Sequence, residues 1–149
     1  VAGSPYFGPL TQFGPKSAPR RARETAVAVL GQIGDLQTSR FLSRLLMYEP
    51  DAAMQASILV SMGRLGTRID SELSARLAEI VRRDVANGPS DTLGGAVSGF
   101  VRAIDAYRGG YVDPGIADVL LAVAAANYSR DVRQRALDTL RALAGGDAP

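Results

Sequence analysis

The chain has 149 residues, 46% hydrophobic and 21% charged, with 17 basic and 15 acidic side chains and a formal net charge of +2. That is enough chain for one domain with a buried core, and it lacks the basic excess that a phosphate-tracking protein usually carries. Histidine and cysteine are both absent, which excludes disulfides, Cys/His zinc sites and the commonest general base.

The sequence pI is near 9.3, and nearly all the positive charge is arginine, with Lys16 the sole lysine. Genome composition is the plain explanation of that bias; selection for bidentate pairing with carboxylate or phosphate is the functional alternative. No apolar run reaches the roughly 18 residues that a bilayer span needs; the longest, Val119 to Ala126, is short and alanine-rich. The chain begins at Val1 with no basic segment leading into an apolar one. A processed or excised chain is therefore expected, with any targeting segment out of view and a cytoplasmic or periplasmic setting equally open.

Residues 1–19 form an arm punctuated by Gly3, Pro5, Gly8, Pro9, Gly14, Pro15 and Pro19, through which no helix can run. A plain linker rarely carries Tyr6, Phe7, Leu10 and Phe13, so the arm is expected to fold over the first helix pair as its cover. From Arg20 the apolar period is helical: Ala22, Ala26, Val29, Leu30 and Ile33 share a face, with Val27 outside it. Gly34 is placed for the left-handed position after a helix end.

A second helix carries Leu36, Phe41, Leu42, Leu45 and Leu46, and Glu49-Pro50-Asp51 ends it and opens the third, with the proline suited to a first turn. The third carries Met54, Ile58, Leu59, Met62 and Leu65 and stops at Gly66. Asp70 caps a fourth, with Leu73, Leu77, Ile80 and Val81, closed by Asn87-Gly88-Pro89. A fifth begins near Ser90 or Asp91, carries Val97, Phe100, Val101, Ile104 and Tyr107, and ends at Gly109-Gly110. Asp113-Pro114 opens a sixth with Ile116, Val119, Leu120 and Val123. Ser129 caps a seventh with Val132, Ala136, Leu140 and Leu143, which ends at Gly145-Gly146 and leaves 146–149 as a tail.

The odd-numbered helices repeat. Leu30-Gly31-Gln32-Ile33-Gly34 falls on Met62-Gly63-Arg64-Leu65-Gly66 at an offset of 32 residues, and the same offset carries Phe41 onto Leu73, Arg44 onto Arg76 and Leu45 onto Leu77. One register that serves two helices and their loop is stronger than a shared helix period. Val132-Arg133-Gln134-Arg135-Ala136 matches Ala22-Arg23-Glu24-Thr25-Ala26, and the fifth helix is the weakest copy. Ala26 and Gly31 remove side chain where two helices approach, so Gly31 and Gly63 read as packing residues. They are not a phosphate loop, because no Lys-Ser/Thr follows and no strand precedes.

This pattern resembles the bacterial HEAT-repeat family, in its short form similar to the repeats of phycobilisome lyases. The stretches that carry the likeness are Arg23 to Asp35, with Arg23, Ala26, Leu30-Gly31 and Ile33-Gly34-Asp35, and Asp131 to Ala136. The resemblance covers about residues 20–145 and implies an all-α fold: an α-solenoid of about three helix pairs plus a terminal helix. It says little about function, since such arrays serve as scaffolds, adaptors, lyases and nucleic-acid binders.

The sequence offers no catalytic or cofactor-binding constellation. Glu49 and Asp51 around Pro50, and Ser90-Asp91-Thr92, read as helix-start chemistry. Lys16 lies in the arm, away from any partner for a serine–lysine dyad. Asn127-Tyr128-Ser129 matches a glycosylation triplet, but Ser129 has a capping role.

The resemblance places the second helices of the pairs on a concave side. Their solvent face is expected to hold Arg40, Ser43, Arg44 and Met47, then Glu72, Arg76, Glu79 and Arg83. Arg40, Arg44, Met47, Arg76, Glu79 and Arg83 are the candidate partner-binding residues. Repeat equivalence sets Arg44 and Arg76 in one row, about 10 Å apart. That row reads as a solvated face with Glu72–Arg76 and Glu79–Arg83 pairs, as a protein or peptide groove anchored by arginine, or as a nucleic-acid track, which the interleaved glutamates disfavour. The expected function is a non-catalytic protein–protein interaction or scaffold module, with nucleic-acid binding second and a lyase-type enzyme third.

Overall fold

The computed structural model describes residues 19–106 and 112–145. Within them lie seven helices: α1 Arg20–Ile33, α2 Leu36–Tyr48, α3 Ala52–Leu65, α4 Ser71–Ala86, α5 Asp91–Ala106, α6 Ile116–Ala125 and α7 Arg130–Leu143. Apart from an isolated parallel bridge between Ile69 and Val112, the described residues are all-α. The expected apolar arm residues Tyr6, Phe7, Leu10 and Phe13, Lys16, Tyr107, Gly109-Gly110 and the tail lie outside the described residues.

Short polar side chains start the helices by taking the amide protons that the first turn leaves unpaired. Asp35 accepts from Gln37 and Thr38 at 3.1 Å, and those hydrogen bonds, Thr38's first, hold its carboxyl below the usual range. Asp51 accepts from Met54 at 2.9 Å, Asp70 from Leu73 at 2.8 Å and Ser129 from Val132 at 3.3 Å. Because Asp51 is the cap of α3, Pro50 stands one residue ahead of it and not in the first turn as expected.

The two repeat glycines at the helix ends behave differently. Gly66 is left-handed, with φ 74°, a conformation glycine adopts without steric cost. Gly34 is extended, with φ −77° and ψ 173°, against expectation. The chain passes there straight into the extended cap Asp35. Gly34 is required on other grounds, since a Cβ would collide with the Leu30 carbonyl and the Thr38 side chain.

Alternate helices pack side by side: α1 on α3, α3 on α5 and α5 on α7 make one row, α4 and α6 pack in a second, α2 packs on α3, and α6 packs on α7. The first row runs parallel. Arg20 near the start of α1 reaches Asp51 at the start of α3, and Ser129 before α7 donates its amide to Asp91 at the start of α5. The core between the rows holds Leu42, Leu46, Leu59, Met62, Leu77, Phe100, Ile104 and Leu120, all essentially without solvent contact.

On α1 the expected face is only partly right: Leu30 packs against the core, but the face as a whole is turned. Val27 and Gly31 are buried, whereas Val29 is 45% and Ile33 75% exposed. The Ser61 hydroxyl bonds the Val27 carbonyl at 2.8 Å, and a Cβ on Gly31 would stand 2.6 Å from the Ser61 side chain. That contact with α3 turns α1 about its axis relative to the face chosen by apolar period. Among the described residues no helix is long and apolar enough to cross a membrane.

Candidate interaction site

The arginine row divides. Arg40, Arg44 and Arg83 are exposed, and Met47 and Glu79 are half-buried. Arg76 is not on the solvent face: its side chain is only 11% exposed. Its Nε donates to the Leu46 carbonyl and one NH2 group to the Glu49 carbonyl, both at 2.9 Å, and the other pairs with Glu79 at 2.7 Å. The guanidinium thus satisfies the Leu46 carbonyl, which Pro50 leaves without an amide donor, adds a second bond to the Glu49 carbonyl, and clamps α4 to the preceding pair. The hydrogen bond from Arg76 holds the Glu79 carboxyl below the usual carboxylate range, with the charges of Arg76 and Arg83 assisting. Of the two expected i,i+4 pairs, Glu79–Arg83 forms at 3.7 Å, while Arg76 turns towards Glu79 instead of Glu72.

Glu49, read from the sequence as helix-start chemistry, is the centre of this junction. It is buried. Its carboxylate pairs with Arg23 at 3.5 Å and accepts the Asp51 amide at 3.0 Å. Its carbonyl accepts from Gln55 at 2.7 Å as well as from Arg76. Four helices meet on one residue. Sequence reasoning missed it because a glutamate beside proline carries no local sign of its long-range partners.

A groove with a cavity volume of about 920 Å³ lies along the other row, on α3 and α5, flanked by α1 and α7. Small residues floor it: Ala53, Ala56, Ser57 and Gly63 from α3, and Gly95, Ala96, Gly99 and Ala103 from α5. Val60, 48% exposed, stands in this floor, and Glu24, Arg64, Asp91 and Arg135 lie around it. The groove thus lies on α3 and α5, whereas the candidate partner-binding residues expected from the resemblance lie on α2 and α4. A signal for it was present in the sequence as α5's Gly94, Gly95 and Gly99, residues that a helix accepts only at a cost.

A smaller cavity of about 240 Å³ opens between α5 and α7, lined by Ser98, Gly99, Arg102, Arg135, Asp138 and Thr139. It shares Gly99 and Arg135 with the groove. The Ser98 hydroxyl is buried and has no hydrogen-bond partner among the described residues. Behind the groove, Tyr128 before α7 donates to Asp84 of α4 at 2.8 Å, and Asp84 also accepts the Ser90 amide at 2.9 Å. Burial, then the Asp84 hydrogen bond and charge, push the Tyr128 hydroxyl well above its usual pKa.

Among the described residues no three His, Cys, Asp or Glu side chains come together to hold a metal. Comparison with family models, with curated proteins and with solved structures gives no match.

Proposed function

We propose that this chain is an α-solenoid of HEAT-like helix pairs that works as a non-catalytic protein–protein interaction or scaffold module, and that it takes its partner in the groove along α3 and α5. The observation that carries this reading is the groove itself. It is an open channel of about 920 Å³ with small residues along its floor and a half-exposed valine in it. Concave apolar surfaces with a few polar groups at the edge are where proteins bind partner segments. The solenoid reading is supported by the 32-residue register, by the parallel row of alternate helices and by Arg76 reaching back to the preceding pair. A nucleic-acid track is disfavoured by the apolar floor and by Glu24 and Asp91 beside it.

Affinity capture from a source extract with the full chain, compared across two variants, tests this. Val60→Arg, which places a charge in the groove floor, is expected to lose the partner. Arg44→Glu, on the other row, is expected to keep it. Retention by Val60→Arg together with loss by Arg44→Glu would move the binding face to the second helices.

A further inference from the structure

The glycines of α5 separate into two kinds. A Cβ on Gly94 would stand 2.7 Å from Tyr128 and 2.9 Å from Val132, so packing against α7 explains that glycine. Gly95 has no atom nearer to such a Cβ than the Arg135 guanidinium at 3.7 Å, and Gly99 has nothing within 4 Å. The fold leaves room for a methyl group at both places, and alanine there would favour the helix. What the glycines keep is bare backbone, one turn apart, on the floor of the groove. Bare backbone allows a second helix to approach more closely than side chains would permit.

The polar surroundings indicate the charge of that second helix. Of the carboxylates beside the groove, Glu24 pairs with Arg20 at 3.4 Å and Asp91 accepts the Ser129 amide at 2.9 Å. Arg135 has no ion-pair partner among the described residues. It lies where the groove meets the smaller cavity, sharing both linings with Gly99. Asp138, in the same cavity, already accepts from Gln134 at 3.0 Å and Arg141 at 3.5 Å. An acceptor that reached this corner would find the Arg135 guanidinium. We infer that the groove takes an amphipathic helix of a partner protein, seated on Gly95 and Gly99, with a carboxylate side chain directed to Arg135. A helix matching the 14 residues of α3 is ~21 Å long.

This inference rests on the groove being the binding face. Two synthetic alanine- and leucine-based helical peptides of α3's length, one with glutamates along a flank and one with lysines at the same positions, are titrated into the isotope-labelled full chain. The glutamate peptide is expected to shift the backbone resonances of Gly95 and Gly99 and to bind roughly fivefold tighter than the lysine peptide at low salt, as one surface ion pair allows. Arg135→Ala is expected to abolish that preference. The double variant Gly95→Ala, Gly99→Ala is expected to unfold at a higher temperature yet bind the glutamate peptide more weakly, a combination that damage to the fold cannot give. Equal affinity for the two peptides, or unchanged binding by the double alanine variant, overturns the inference. If Val60→Arg still loses its partner from extract in that case, the module reading survives without it. A dimer of the full chain that Val60→Arg dissociates would make a second copy the occupant, and would overturn it too.

Discussion

The first helix pair, α1 and α2, and the second, α3 and α4, share one 32-residue register, yet equivalent residues lead different lives. Leu30 is partly buried and its mate Met62 fully so; Val29 is half-exposed while its mate Ser61 is buried against α1; Arg44 is exposed while its mate Arg76 is clamped onto α2. The second pair has a described pair on either side, and the first has one on a single side. Sequence sets what each position can do. Neighbours decide whether it does so, because burial energy and carbonyl capping exist only where there is something to bury against or to cap.

The strongest test of this comparison lies on α1. Val27, outside the expected stripe, is fully buried and its repeat mate Leu59 is too. Val27→Asp buries a carboxylate with no partner and is expected to cost about 3 kcal/mol or more, enough to unfold much of a marginally stable chain. Val29→Asp, two residues on, is expected to stay within about 0.5 kcal/mol of the parent. Urea denaturation of both variants measures the difference. A Val29→Asp variant as unstable as Val27→Asp would mean that the outward face of α1 is covered, as expected for a folded-back arm.

The arginines give the next largest contrast. Arg76→Glu removes two hydrogen bonds to the carbonyls of Leu46 and Glu49 and sets a carboxylate beside Glu79. A loss of roughly 2–3 kcal/mol is expected, since a buried acceptor left unpaired costs more than a made bond returns. Arg44→Glu is expected to change stability by less than about 0.5 kcal/mol. Equal losses on chemical denaturation would show that repeat position, and not the neighbouring pair, fixes the role of the arginine.

These contrasts show how far the sequence could be read. Helix number, the caps Asp70 and Ser129 and the apolar stripes of α3, α4 and α6 follow from local rules, because period and capping act within one turn. Val27 was within reach as well: its mate Leu59 lies in a stripe read correctly, so aligning the repeats residue by residue would have outweighed the local period. Glu49 and the orientation of Arg76 were out of reach, because partners 26 to 30 residues away leave no local trace. For the groove, the α5 glycines were visible, but whether a glycine is filled or open depends on what the fold brings against it. The position of Tyr128 over Gly94 decides that for one glycine and leaves Gly99 bare.

The smallest expected effect comes from the tie that holds the second pair from its far side. Tyr128 links α4 to the turn before α7 through Asp84, whose other described contact is the Ser90 amide. Tyr128→Phe keeps the ring against Gly94 and removes only the hydroxyl, so a loss of about 1.5–2 kcal/mol is expected at neutral pH, the low end of the range for a hydrogen bond to a charged acceptor. The pH dependence separates this from a packing defect. Desolvation, Asp84 and the more distant Asp91 all favour the protonated phenol in the folded chain. The folded pKa therefore stands above the unfolded value of about 10. A raised pKa contributes stability that is fully present below about pH 10 and is lost as pH rises further, because the unfolded chain releases the proton first. The other tyrosines and the arginines add a background common to both proteins, so the informative quantity is the difference in unfolding free energy between parent and variant. That difference is expected to be constant from neutral pH to about pH 9 and to shrink above pH 10. A difference that stayed flat to pH 11 would mean that Tyr128 ionises alike in both states, and that its bond to Asp84 does not hold the second pair to the C-terminal helices.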